Sequence, residues 1–368
     1  MKAEVKQANF AKVLNQVGRI VSNRTTLPVL GNVLIEAKEG KLSISATDLE
    51  VAITTKVVGK VESDGIVTIP ARLLSDFVLN NNDENISISL KDLTLSLKSK
   101  KYRANIKGIN AEEFPTVPAR PKSKFLSIKV SKLSEALRKV TLAAANDETR
   151  PVLAGVYMKF SGKSLTFAAT DSYRLAEKKI EITDNTEEKE IIVPSRTLNE
   201  VLRIASGYDG EAEVEITLDE NQVFFVLGEI QIVSRLIEGS FPNYEQIIPK
   251  TSSISSVSNL LETLSAIKMS ALFAKEIANN IKVKVSSSGL TIRSAQEQVG
   301  DTQSTVEAKT TGGEVEVAFN ARYLIDVLGV LNGSEVKMEF NDDSSPCVIT
   351  SKDNKDYVYL VMPLKTDN

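Results

Sequence analysis

The feature that most constrains the fold is a threefold internal repeat. Helix-like segments with apolar residues at three-and-four spacing begin with FAKVL at position 10, LSEAL at 133 and LLETL at 260. These starts are 123 and 127 residues apart. The chain of 368 residues is therefore expected to contain three related units of ordinary domain size.

Other strings keep the same period. TLPVLGNVLIEA from Thr26 matches TRPVLAGVYMKF from Thr149, and IANNIKVKV from Ile277 occupies the third slot. A second helix is indicated by VTIPARLLSDFV, IIVPSRTLNEVL and VAFNARYLIDVL, which begin at 67, 191 and 317. Alternating apolar residues between the helices predict antiparallel strands. We predict an α+β fold with domains at 1–121, 122–249 and 250–368, where proline-rich segments read as linkers.

Composition restricts the chemistry. The chain has no histidine, so it lacks the commonest zinc ligand and the commonest general base, and its only cysteine is Cys347. We expect no catalytic residue, no metal and no cofactor. No apolar stretch is long enough to span a bilayer and no secretory signal opens the chain, which predicts a cytoplasmic protein without membrane contact. The net charge of −3 argues against a uniformly basic surface, although one basic face remains compatible with it.

Four strings resemble a known family. TLPVLGNV at Thr26, ATDSYRLA at Ala169, SFPNYEQIIP at Ser240 and YLVMPL at Tyr359 are similar to the bacterial DNA polymerase III beta subunits, the sliding DNA clamps. The resemblance covers essentially the whole chain. It implies three copies of the DNA-clamp fold, with two helices packed on antiparallel sheet in each copy. Two chains would then close head to tail as a homodimeric ring around duplex DNA.

The resemblance and the repeat together suggest a set of residues that face DNA, called the DNA-facing set below. Cations recur on the first helices and at the start of the second helices, and such groups hold phosphates without reading sequence. Any one of them, read alone, is equally well a solvated helix residue, and Arg150 could pair with Asp147 or Glu148. The predicted DNA-binding residues are Lys12, Arg24, Arg72, Lys139, Arg150, Arg196 and Asn320.

The resemblance also implies a pocket between domains 2 and 3 that receives short linear peptides from the polymerase catalytic subunit, the clamp loader and repair polymerases. Apolar side chains and Met would supply an adaptable cavity, with a few polar edges. Leu175, Ile247 and Leu360 would be read as domain core without the family pattern. The predicted pocket residues are Leu153, Thr170, Ser172, Tyr173, Arg174, Leu175, Pro242, Ile247, Tyr323, Pro346, Leu360 and Met362.

In this family the first copy meets the third copy of the partner chain, which implicates Ile106, Leu272 and Phe273 in the dimer interface. A core role for these three is an equally good interpretation. Gln246 and Pro346 depart from the family pattern and leave the peptide preference open, as does the role of the extension Thr366 to Asn368.

Two other classes of function remain open at this point. A carboxylate-based hydrolase could use Asp48, Asp171 or the pair Glu112 and Glu113, but the third copy lacks the Ala-Thr-Asp string, so this string is not a repeated active site. A repeat scaffold that binds only proteins would be a monomer and would not remain on circular DNA.

Overall fold

The computed structural model describes residues 1–21, 27–122, 124–147, 149–275, 278–296, 300–352 and 354–365. Within these residues there are six α-helices: α1 (Gln7–Val17), α2 (Ala71–Leu79), α3 (Val130–Val140), α4 (Ser195–Ala205), α5 (Leu260–Ala274) and α6 (Ala321–Leu328). None of the helices in the described ranges is both long enough and apolar enough to cross a membrane.

The strands of the first third of the chain are β1 (Lys2–Lys6), β2 (Asn32–Lys38), β3 (Lys41–Thr47), β4 (Val51–Val57), β5 (Gly59–Ser63), β6 (Gly65–Pro70), β7 (Asn85–Lys91), β8 (Thr94–Lys98) and β9 (Arg103–Lys107). Those of the middle third are β10 (Leu126–Lys129), β11 (Gly155–Thr170), β12 (Arg174–Pro194), β13 (Glu213–Leu218), β14 (Gln222–Leu227) and β15 (Ile230–Arg235). Those of the last third are β16 (Ile254–Asn259), β17 (Asn280–Ser286), β18 (Gly289–Gln296), β19 (Gly300–Val306), β20 (Ala308–Thr311), β21 (Val315–Asn320), β22 (Glu335–Phe340), β23 (Cys347–Ser351) and β24 (Asn354–Val361).

The chain forms two compact units, and the middle copy contributes to both. The first unit contains residues 1–130 and 203–236, and the second contains 131–202 and 237–368. The mixed helix and sheet content expected from the repeat is present. The domain boundaries at 121 and 249 stay a prediction, because the two compact units are divided between the sheets and not at these linkers.

The first unit has a five-stranded sheet, in the order β5-β1-β7-β8-β9, and an eight-stranded sheet, in the order β10-β13-β14-β15-β4-β3-β2-β6. In the larger sheet, β15 of the middle copy pairs with β4 of the first copy, with Ile232 opposite Ile53. Helix α1 buries Phe10, Val13, Leu14 and Val17, the face predicted from its spacing, and packs against α2.

The second unit has the corresponding arrangement. Its seven-stranded sheet has the order β11-β12-β24-β23-β22-β16-β20, and its four-stranded sheet has the order β19-β18-β17-β21. Here β12 of the middle copy pairs with β24 of the last copy, and Leu175 lies opposite Leu360. Neighbouring copies of the repeat are thus joined by backbone hydrogen bonds between strands in both units.

Candidate functional site

The Ala-Thr-Asp string of the middle copy forms a tight turn between β11 and β12. The Thr170 hydroxyl donates to the Arg174 carbonyl at 2.7 Å, and the Ser172 N–H donates to the Thr170 Oγ1 at 3.2 Å. The Asp171 Oδ1 accepts the N–H groups of Tyr173 at 2.9 Å and Arg174 at 3.0 Å. Asp171 is therefore a turn-forming carboxylate, and the turn leaves the Tyr173 side chain 57% exposed.

Arg174 connects this turn to α6. Only 9% of the residue is exposed. Its Nε donates to the Asp171 Oδ2 at 3.0 Å, its Nη1 donates to the Asp326 Oδ2 at 2.6 Å, and its guanidinium lies 4.4 Å from the centre of the Tyr323 ring. Burial opposes the charge, but the interactions with Tyr359, Asp326 and Asp171 outweigh it, so the pKa of Arg174 is raised. The arginine positions its neighbours and has little capacity left for a ligand.

An apolar core lies directly beneath the turn. Leu175, Leu360, Ala168 and Tyr244 are buried together, with Tyr157, Phe241 and Ile248 packed at the edge of the cluster. The Tyr244 hydroxyl donates to the Glu177 Oε2 at 2.6 Å, and burial is the main reason that the pKa of Tyr244 is raised. Leu175 and Leu360 are thus buried core residues, and their assignment to the peptide pocket stays a prediction.

Several other predicted pocket residues are apolar and accessible. Ile247, Pro242 and Met362 are exposed alongside Tyr173, whereas Leu153, Tyr323 and Pro346 are half-buried. The Met362 N–H donates to the Tyr173 carbonyl at 2.8 Å, which fixes the end of β24 against the turn. The predicted pocket residues thus include both buried side chains and exposed apolar ones, a combination that suits peptide recognition.

Arg150 lies beside this same turn. Its Nη1 donates to the Ser172 Oγ at 3.1 Å and to the Asp171 carbonyl at 3.4 Å, and its Nε donates to the Asp147 Oδ2 at 3.3 Å. The hydroxyl of Thr149, more than Arg150, lowers the pKa of Asp147. The salt bridge between Arg150 and Asp147 that the sequence left open is therefore present. The DNA contact of Arg150 stays a prediction.

Two of the residues assigned to DNA make contacts within the chain, and their predicted roles at DNA stay predictions. Lys139 is 2% exposed, because its Nζ donates to the Glu135 Oε1 at 2.6 Å and lies 5.5 Å from the centre of the Tyr357 ring. Asn320 is the N-cap of α6, with its Oδ1 accepting the Arg322 N–H at 3.0 Å.

The other basic residues of this set keep exposed positions. Lys12 on α1, Arg72 at the start of α2 and Arg196 at the start of α4 are all exposed. Arg72 makes a long contact with Asp76, at 4.0 Å, one turn later in the same helix. Arg24 and the extension Thr366 to Asn368 lie outside the described residues.

The predicted interface residues differ in their surroundings. Ile106 is 3% exposed on the edge strand β9, where it pairs with Leu95, so it belongs to the core of the first copy. Leu272 on α5 is 57% exposed and Phe273 is half-buried. Sequence reasoning missed Leu73, an exposed leucine on α2, the helix that contacts β9. The sequence signal that could have identified Leu73 is that a leucine lies on the polar face of an amphipathic helix.

Comparison with known proteins gives one consistent result. Profiles of the DNA polymerase III beta subunit match the N-terminal domain over 1–118, the central domain over 127–243 and the C-terminal domain over 245–365. A "Beta sliding clamp" of Synechococcus elongatus is 34% identical, with 99% of each chain covered. A "Beta sliding clamp" of Pseudomonas aeruginosa is 31% identical, covering 99% of this chain and all of that one.

Solved structures agree with the sequence comparison. The DNA polymerase sliding clamp of Bacillus subtilis superimposes with a TM-score of 0.95 at 26% identity, covering 100% of both chains. The sliding clamp of Pseudomonas aeruginosa, solved with griselimycin bound, gives a TM-score of 0.93 at 30% identity, again over 100% of both chains. The chain therefore belongs to the DNA polymerase III beta subunit family, the bacterial sliding clamps.

Proposed function

We propose that two copies of this chain close head to tail around duplex DNA and that each copy tethers replication and repair proteins through the surface at Tyr173, Ile247 and Met362. As a member of the sliding clamp family, the chain is a non-catalytic processivity factor of DNA polymerase III. The finer proposals concern which surfaces close the ring, face DNA and receive partner peptides.

The observation that carries the peptide site is the contrast between its base and its rim. Arg174, Asp171 and Asp326 hold the base through charge-assisted hydrogen bonds, while Tyr173, Ile247 and Met362 leave apolar area open to solvent. Exposed apolar groups on a fixed support favour binding of a short extended peptide, since little ordering of the protein is needed. The partners expected are the polymerase catalytic subunit, the clamp loader and repair polymerases.

Support for DNA encirclement comes from charge at repeated positions. The chain carries a net charge of −3, yet Lys12, Arg72 and Arg196 expose cations from the helices. Cations on helix surfaces attract phosphates without fixing a base sequence, which suits a protein that must slide.

Support for the ring comes from two sheet edges that have no partner strand in the part of the chain that the structure describes. Strand β9 is an edge of the five-stranded sheet in the first unit, and β19 is an edge of the four-stranded sheet in the second. Edge strands pair readily with strands of another chain. A head-to-tail dimer would remove both edges, with the exposed Leu73 and Leu272 as further apolar contacts.

The peptide site is tested with a fluorescent peptide taken from the catalytic subunit of the same polymerase. Met362→Ala and Ile247→Ala should each weaken binding by roughly 5- to 30-fold, the effect of losing about 1–2 kcal/mol at the centre of an interface. Leu261→Ala, which truncates an exposed leucine on α5 in the same unit, is the matched control and should bind as the wild type does. Equal affinity for all three variants would refute the assignment.

The ring is tested by retention on nicked circular DNA. The chain should stay bound when salt is raised and should be lost when the circle is linearised, because a topological link needs no strong contact. The solution mass should be that of a dimer. A strict monomer, or equal loss from circular and linear DNA, would contradict encirclement and favour a protein scaffold.

A further inference from the structure

The first copy contains a turn with the same hydrogen bonds as the peptide-site turn. The Thr47 hydroxyl donates to the Val51 carbonyl at 3.0 Å, and the Asp48 Oδ1 accepts the N–H groups of Glu50 at 3.1 Å and Val51 at 2.9 Å. Leu49 has a φ of 80°, the value also found at Ser172. The two turns are equivalent in backbone conformation as well as in sequence position.

The strand beside this turn is equivalent too. The Arg235 N–H donates to the Glu50 carbonyl at 3.0 Å, as the Met362 N–H donates to the Tyr173 carbonyl at 2.8 Å. Val233 pairs with Ala52 across β15 and β4, in the register that places Leu360 opposite Leu175. Arg235 therefore occupies the place of Met362, and Glu50 that of Tyr173.

These residues border a groove in the first unit that the function described above does not use. We call it the first-unit groove and define it by Val51, Ala52, Pro115, Val233 and Arg235, which line a cavity of about 130 Å³ together with Glu50 and Pro118. Ala52 and Val233 are smaller than Leu175 and Leu360, their counterparts in the second unit, and they form a buried cluster with Phe224 against which Val117 packs. The cavity beside this cluster has room for one aliphatic side chain of a ligand.

The rim of the first-unit groove differs from the peptide site in charge. Val51 stands where the peptide site has Arg174, so no cation is buried beneath the surface. Glu50 and Arg235 are both exposed, and neither forms a salt bridge with any residue in the described part of the chain. An exposed guanidinium next to an aliphatic cavity is suited to a carboxylate, which it can bind through two parallel hydrogen bonds.

Leu49 adds a second feature at the same place. It is an exposed leucine with a positive φ, a conformation that bulky residues rarely adopt and that tends to occur at ligand-binding turns. Apolar area is therefore presented beside Arg235 as well as inside the cavity.

We propose that the first-unit groove is a second docking site, which takes a linear segment of a partner protein with an aliphatic side chain directly followed by an acidic one. The aliphatic side chain enters the cavity over Ala52 and Val233, and the carboxylate pairs with Arg235. The charged rim distinguishes this segment from ligands of the Tyr173, Ile247 and Met362 surface. The proposal uses the equivalence of the two turns and does not require that peptides bind at the second-unit surface.

The probe is the capped dipeptide acetyl-Leu-Glu-amide, titrated against the full chain with labelled methyl groups. We expect saturable shifts of the Val51, Ala52 and Val233 methyls at millimolar concentration, while the Leu153 and Ile247 methyls report the second-unit surface separately. Acetyl-Leu-Gln-amide, which lacks only the charge, should bind at least fivefold more weakly, and so should acetyl-Ala-Glu-amide, which cannot fill the cavity.

Two variants complete the test. Arg235→Gln should abolish the difference between the Glu and Gln dipeptides, and Ala52→Leu, which copies the side chain of the peptide site, should remove binding by filling the cavity. When the polymerase peptide is added, both variants should show the same shifts of the Ile247 methyls as the wild type. A failure of the proposed peptide site would therefore be seen separately from a failure of the first-unit groove. Shifts of Val51 and Val233 that depend on protein concentration without dipeptide would indicate a second copy of this chain and overturn the proposal. Equal binding of the Glu and Gln dipeptides, or binding that survives Ala52→Leu, would also overturn it.

Discussion

Replacing Arg174 by methionine is the most informative single change in the second unit. Methionine keeps much of the length of the side chain but removes the hydrogen bonds to Asp171 at 3.0 Å and Asp326 at 2.6 Å. Each charge-assisted hydrogen bond contributes about 1.5–3 kcal/mol, and a cation over an aromatic ring about 0.5–2 kcal/mol. These values do not add in full, because burying the guanidinium is itself unfavourable.

The expected net effect is a local loss of about 2–3 kcal/mol. It stays below the sum because the side chains of Asp171 and Asp326 remain 13% and 30% exposed, so water can solvate part of the charge left behind. By the tenfold change per 1.4 kcal/mol, local opening of the turn and of the end of β24 should increase roughly 30- to 150-fold.

Amide hydrogen exchange measures this opening directly. Met362 is the reporter, since its N–H donates to the Tyr173 carbonyl across the affected contact. Arg150→Gln is the matched control, because Arg150 contacts the same turn from an exposed position through longer bonds, and it should change exchange by less than about fivefold. Exchange at Met362 within threefold of wild type in Arg174→Met would refute the view that Arg174 holds the pocket together.

Three other changes test separate parts of the molecule. Tyr244→Phe leaves the Glu177 carboxylate without its buried donor, so the thermal midpoint should fall by an amount equivalent to about 1–3 kcal/mol, whereas Tyr102→Phe on the surface should have no effect. The hydrogen bond from the Lys139 ammonium lowers the pKa of Glu135 in the folded protein below its ordinary value of 4.5. The ionised Glu135 therefore contributes its full stabilisation above pH 4.5, and this contribution is lost as the pH falls through the pKa of the folded protein. Thermal midpoints measured in acid should therefore fall less steeply for Glu135→Gln, and parallel curves would contradict this. Arg72→Gln should reduce the salt dependence of the weak equilibrium binding to a short linear duplex, changing the slope of log K against log salt concentration by up to about 0.9 if Arg72 contacts one phosphate; an unchanged slope would remove it from the DNA-facing set.

Local features of the site were predictable because they depend on neighbouring residues. Asp171 accepts backbone N–H groups of the residues that follow it, as a carboxylate in a tight turn usually does, and Asp48 does the same in the first copy. The spacing of Phe10, Val13, Leu14 and Val17 likewise identified the buried face of α1.

Features that depend on distant packing were not predictable in this way. Lys139 follows Arg138 in a helix that has basic residues in its last turn, and nothing nearby shows that only one of the two is buried. Its burial depends on Tyr357, whose hydroxyl donates to the Lys139 carbonyl from 218 positions further along the chain. The division of the middle copy between two sheets has the same origin, because strand pairing with β4 and β24 is decided by tertiary contacts.

The strand pairs that join neighbouring copies have a mechanical consequence. Within one chain, β15 is held to β4 and β12 to β24 by ladders of backbone hydrogen bonds, which resist shear because several bonds must break together. The outer edges of β9 and β19 have no such partner strand among the described residues. If a closed assembly opens at the contacts between chains, the copies inside each chain should therefore stay joined.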